Sequence, residues 1–286
     1  MEALLNTDTT LLWAAVVSAI VSAAVSYFFR KRETRHRLQT EYEYEQRKKL
    51  RDLIGRYHGR LLQAANSLNY RFWNLYANAD GGWLDVGGDV RNGGYYFTSF
   101  VHRFLSVAVR IRQFENESIF VDARIAEKKD FTFLSYLAAL QWVLTDVSLF
   151  TGVDYDTNHQ RDHFFSDNFR LYCDTCLTDG EFPSYQAFCE RIKTDRSLDP
   201  VLRFFADLRR NEDRLRWDRL VAFHLLLMAF INTFGYETQH TSEAKFAQVA
   251  QNFRHPRIFD NLVHWLPRHG LGSNREARLI THARRK

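Results

Sequence analysis

A guanidinium and an imidazole five residues apart, Arg219 and His224, lie inside the apolar run RWDRLVAFHLLLMAFINTF. The pair is the clearest candidate for chemistry. Imidazole can shuttle a proton near neutral pH, and guanidinium can stabilise charge developing on a phosphoryl oxygen. The Arg-x4–6-His spacing recurs at Arg30/His36, Arg51/His58, Arg257/His264 and Arg275/His282. Only Arg219/His224 sits in an apolar helix, where burying two such groups demands a reason. On a straight helix five residues subtend about 500°, leaving the two side chains about 140° apart. A structural reading, in which Arg219 pairs Asp146 or another acid, therefore stands beside the catalytic one.

A second constellation has metal-ligand types. His159 and His163 are four residues apart, and Cys173-x-x-Cys176 follows them. Imidazole and thiolate in these pairs could complete a tetrahedral zinc site. One continuous helix would hold the pairs about 15–20 Å apart, so zinc requires a turn near Leu171. The alternative is a set of buried, unmetallated cysteines. Asp154-x-Asp156-x-Asn158 imitates the start of a calcium loop, but His159 stands at the glycine position and Phe165 at the closing glutamate position. No motif calls for a cofactor.

The Arg219–His224 segment resembles the Arg-x4–6-His motif of HEPN-domain proteins, all-helical modules that often cleave RNA without a metal. The resemblance implies paired motifs meeting at a dimer interface, Arg219 and His224 acting on a scissile phosphate, and RNA as a partner. Leu220 departs from the polar residue that usually follows the Arg. Some bacterial antiviral accessory proteins resemble the chain further, combining a membrane anchor with a HEPN-like domain and assembling as oligomers. That likeness implies a setting in stress or phage defence.

The elements that position these residues begin with an apolar stretch. Residues 11–29, LLWAAVVSAIVSAAVSYFF, carry no charge, and RKRETRHR follows. A helix of that length spans about 28 Å, close to the ~30 Å hydrocarbon core of a bilayer. The stretch predicts a single transmembrane helix. Arg30, Lys31, Arg32, Arg35 and Arg37 after it, with no basic residue before it, predict an inner-membrane protein with its N-terminus out and its C-terminal domain cytoplasmic. The same five residues would face anionic lipid.

The net charge of +5 is concentrated: segments 30–37 and 275–286 each carry +4, leaving a nearly neutral body. That distribution weakens a nucleic-acid role. Three cysteines, an odd count, argue against a disulfide scaffold. With 45% hydrophobic residues and four prolines among 286 residues, the chain can bury a sizeable helical core.

Along the chain, Leu50, Ile54, Tyr57, Leu61, Ala65, Leu68, Phe72 and Leu75 recur at helical steps. The glycine-rich 78–94 reads as a loop, lacking the Lys-Ser/Thr ending of a phosphate-binding one. Further helices are predicted at about 95–115, 130–150 (as the central core helix), 159–177, after Pro183, from Asp199-Pro200, and at 211–234, 241–253 and 256–266. The expected layout is all-α: residues 1–10 extracytoplasmic, a transmembrane helix at 11–29, a basic segment and stalk at 30–49, a cytoplasmic helical-bundle domain at 50–270, and a basic tail at 271–286. The expected function is that of an oligomerising membrane effector or adaptor with an unidentified protein partner. A tethered HEPN-like ribonuclease and a zinc-binding helical domain are the alternatives.

Overall fold

The computed structural model describes residues 2–79, 81–119 and 122–283; the side chains of 2–12, 14, 15 and 123 lie outside the description. Among the described residues the chain is all-helical: α1 (Glu2–Ala77), α2 (Tyr95–Ser118), α3 (Lys128–Thr145), α4 (Ser166–Thr175), α5 (Tyr185–Thr194), α6 (Asp199–Phe205), α7 (Arg216–Phe234), α8 (Glu243–Ala250), α9 (Pro256–Arg268) and α10 (Arg275–His282). Two compact units divide at Lys49/Leu50.

In the first unit, residues 13 and 16–42 of α1 are exposed, among them Trp13, Val17, Ile20, Phe28, Phe29 and all five basic residues from Arg30 to Arg37. Among the described residues no helix is long and apolar enough to cross a membrane. This overturns the transmembrane helix expected at 11–29, and with it the single-pass inner-membrane placement. The helix continues without a break into the charged RKRETRHR.

The second unit is built on α7. Every residue from Arg216 to Asn232 is buried, and α3, α8, α9 and α10 pack around it. The central helix is thus α7, whereas α3 keeps exposed positions at Phe131 and Ala138. The predicted stripe on α1 is buried at Leu50, Leu61, Ala65, Leu68, Phe72 and Leu75, and partly buried at Ile54 and Tyr57. Phe72 meets Phe100 of α2 edge-on at 5.3 Å and Phe223 of α7 at 6.2 Å, tying three helices together. Aromatic pairs of this kind add about 0.5–1.5 kcal/mol each beyond area burial.

Residues 81–94 form turns in which Gly82, Gly87 and Gly88 have positive φ, a conformation that disfavours a Cβ. The segment expected as a basic tail contributes α10, capped by Asn274 on the Ala277 N–H. It buries Ala277 and Ile280 because its basic residues fall on the face away from that pair.

Candidate functional site

The two residues of the Arg-x4-His motif are both fully buried and engage separate partners. His224 stacks on Phe72 at 4.6 Å. Its Nε2 lies 2.7 Å from Asn69 Oδ1 and its Nδ1 3.2 Å from the Tyr76 hydroxyl. Since the amide oxygen only accepts, Nε2 carries the proton and Nδ1 accepts from Tyr76. Burial pushes the imidazole down to about 3, so the ring is neutral at physiological pH and both nitrogens are engaged.

Arg219 faces the other way. Its Nη1 donates to the Val143 carbonyl and its Nη2 to the Asp146 carbonyl at 3.1 Å, with the guanidinium 4.2 Å from the Phe150 ring centroid. These carbonyls mark the end of α3, where the last four have no partner inside the helix. Asp146 N–H takes Trp142 O at 2.8 Å, Phe164 N–H takes Leu144 O at 3.0 Å, and Arg219 takes Val143 O. The guanidinium thus closes the C-terminus of α3, the end at which the macrodipole favours a cation. Desolvation lowers its pKa to about 9.

Asp146 does not supply the carboxylate partner anticipated for Arg219. It has left α3 and caps the following 3₁₀ turn, accepting the Ser148 N–H at 2.7 Å. Asp146, Arg219 and His224 do not form a common site, and the chemistry open to the last two in this arrangement is structural.

The metal-ligand types also stay apart. His159 is exposed and its Nδ1 contacts Asp156 at 2.8 Å. His163 is buried against the Tyr155 hydroxyl and held down to about 4, chiefly by desolvation. Cys173 and Cys176 are buried thiols, and burial raises both, Cys176 to about 12. Among the described residues no three His, Cys, Asp or Glu are grouped to hold a metal ion. The reason is local: α4 starts only at Ser166, which leaves both histidines in the preceding loop while the thiols turn into the core.

A cavity of about 700 Å³ opens beside that loop, between the loop, the segment entering α7 and the start of α9. Two of its charged groups are paired from within. Arg214 Nε donates to Asp162 at 2.7 Å, and His255 Nδ1 lies 3.1 Å from Asp218, which is fully buried and also accepts the Arg254 N–H at 2.6 Å. Arg161 and Arg254 donate to backbone carbonyls. The His255–Asp218 pair escaped the sequence because thirty-seven residues separate its members. A histidine just before Pro256, at the start of a helix, was the only local signal.

The remaining unusual surface is the first unit itself. Between Trp13 and Phe29 nine large hydrophobic side chains are each about half exposed or more, an arrangement that water disfavours. Comparison with family models, curated proteins and solved structures finds no match for the chain.

Proposed function

We propose that this chain is a self-assembling helical effector or adaptor, which joins further copies of itself through residues 13–29. The observation that carries the reading is the exposed apolar surface of α1: Trp13 is 71% exposed, Ile20 63% and Phe28 69%. Contiguous apolar patches of this kind mark interaction surfaces in folded proteins.

A second copy is the partner that fits. At 100° per residue, the large side chains Val16, Val17, Ile20, Val21, Val25, Tyr27, Phe28 and Phe29 spread over about 220° of the helix. Ala19, Ser22, Ala23 and Ser26 occupy the remaining arc. Each copy therefore carries both a ridge of large groups and a flat face of small ones. The ridge of one copy can seat on the flat face of the next, a head-to-tail arrangement that closes into a ring when the rotation permits. A non-enzymatic role is supported by the burial and full engagement of His224.

The test is the mass of the full chain by light scattering, beside a chain carrying Ile20→Glu and Phe28→Glu. The reading expects a multimer that falls to a monomer in the double variant while helicity is kept. A wild-type monomer at all concentrations contradicts it.

A further inference from the structure

A cavity of about 310 Å³ lies between α1, α2 and the start of α5, and its electrostatics differ from those of the larger one. Arg103 lines it, donating Nη1 to the Ser67 hydroxyl at 2.8 Å and the Ser67 carbonyl at 2.9 Å. Arg71, one turn beyond Ser67 on α1 and only 5% exposed, donates Nη2 to the hydroxyl of Ser99 in the cavity wall at 2.9 Å. Its Nε is buried without a hydrogen-bond partner. Among the described residues neither guanidinium has a carboxylate partner, in contrast to Arg91, Arg112, Arg214 and Arg216 elsewhere in the same unit. An ion removed from water without a counter-charge loses several kcal/mol of solvation. The rings of Tyr95 and Tyr96, 5.5 and 4.6 Å from the Arg71 guanidinium, offset only part of that.

The ionised groups that act on the side chains lining the cavity are cations, while the Pro183 carbonyl contacts His102 Nε2 at 3.1 Å. His102, which lines the cavity, is lowered by burial first and then by Arg103 and Arg110, both cations. Tyr95 is lowered by its contact with Arg71 first, with Ser99, Arg71's charge and Arg103 acting in the same direction. Among the described residues no acid acts on either group. The Ser67 hydroxyl accepts from Arg103 and so keeps its own O–H to donate.

We infer that this cavity is a binding site for a phosphoryl group on a small molecule, held by Arg103 with Ser67 donating, while the buried Arg71 adds positive charge from behind Ser99 in the wall. The Arg103 guanidinium presents a donor fork that matches phosphate oxygens. The volume admits a mononucleotide-sized ligand and falls at the lower end of the range for small-molecule pockets. The site is independent of the assembly surface on residues 13–29, which belongs to the other unit.

The experiment is calorimetric titration of the full chain with inorganic phosphate and with a nucleoside 5′-monophosphate, at constant ionic strength against chloride. Arg103→Gln, Ser106→Glu and, as a control in the larger cavity, Arg161→Gln are titrated in parallel. The expected result is saturable phosphate binding, weakened about 10- to 100-fold by Arg103→Gln, as for loss of a hydrogen bond to a charged group, and unchanged by Arg161→Gln. Ser106→Glu, which brings a carboxylate to the cavity wall, should abolish binding and raise the melting temperature by supplying the missing counter-charge. Tighter binding of the mononucleotide than of phosphate places the rest of the ligand in the cavity, and equal binding assigns the site to the phosphoryl group alone. Absence of saturable binding by either probe, or equal loss in Arg103→Gln and Arg161→Gln, overturns the inference.

Discussion

Replacing Arg219 by alanine removes the group that closes the C-terminus of α3, and its cost can be worked from the contacts. Two charge-assisted hydrogen bonds, to Val143 O and Asp146 O, and the contact with Phe150 at 4.2 Å disappear. Hydrogen bonds to a charged group contribute about 1.5–3 kcal/mol each, and a desolvated cation–π contact about 2. Against this, the variant no longer desolvates a guanidinium, a penalty of several kcal/mol that also holds its pKa down to about 9. Both carbonyls lose their donor, Val143 O in a buried position and Asp146 O in a part-buried one; the terms largely cancel except for the void and the buried Val143 carbonyl, which together set a net loss of about 3–4 kcal/mol. Arg219→Met fills the volume and leaves the buried Val143 carbonyl as the main cost, so it should lose about 1–3 kcal/mol. Urea unfolding followed by circular dichroism reads both values, provided the slope with denaturant is unchanged. An alanine variant within about 0.5 kcal/mol of wild type, or a methionine variant less stable than alanine, would refute the capping role.

The buried imidazole gives a pH signature. His224 is held at about 3 in the fold against its ordinary 6.5. Below pH 6.5 the unfolded chain therefore takes up a proton that the folded chain refuses, and stability drops by about 1.4 kcal/mol per pH unit towards pH 3. His224→Phe should remove that share of the slope in thermal melts between pH 6 and 4, and an unchanged slope would exclude His224 as its source. Asp218→Ala should destabilise by about 2–3 kcal/mol, since the buried carboxylate holds the Arg254 and His255 N–H groups at 2.6 and 3.2 Å where α9 begins; urea unfolding checks it, and a loss under about 0.5 kcal/mol counts against that role. Ile20→Glu alone should weaken self-association about 5- to 30-fold, from about 1–2 kcal/mol of lost apolar burial. Sedimentation across a concentration series measures this, and an association constant unchanged by the substitution contradicts the assembly surface.

Much of the helical layout was legible because periodicity is a local property. The stripe from Leu50 to Leu75 and the Asp199-Pro200 start of α6 needed only neighbours in sequence. The hierarchy of helices was not legible in the same way. The segment 130–150 was expected as the central core helix, while the apolar run of α7 takes that place because α3, α8, α9 and α10 pack around it. The role of Arg219 was hidden because its partners are backbone carbonyls seventy-six and seventy-three residues away, and carbonyls leave no mark in a sequence. Asp146 misled for a related reason: its carboxylate satisfied a local N–H at Ser148 and had no need of the arginine. The run at 11–29 misled through composition, since a lack of charge signals an apolar environment without specifying lipid or protein. Arg71 and Arg103 could not be paired in advance, because an arginine that lacks a carboxylate is recognised only once its surroundings are known.

The assembly surface on α1 is tested most directly by a distance between copies. A spin label at Ser22, on the small face, should report a partner label within about 20 Å when helices pack at the usual 8–10 Å between axes, with the distance lost when Ile20→Glu and Phe28→Glu are introduced into the same chain. A label at Ser22 that shows no inter-copy distance at concentrations where the wild type is multimeric would place the contact elsewhere and contradict the account.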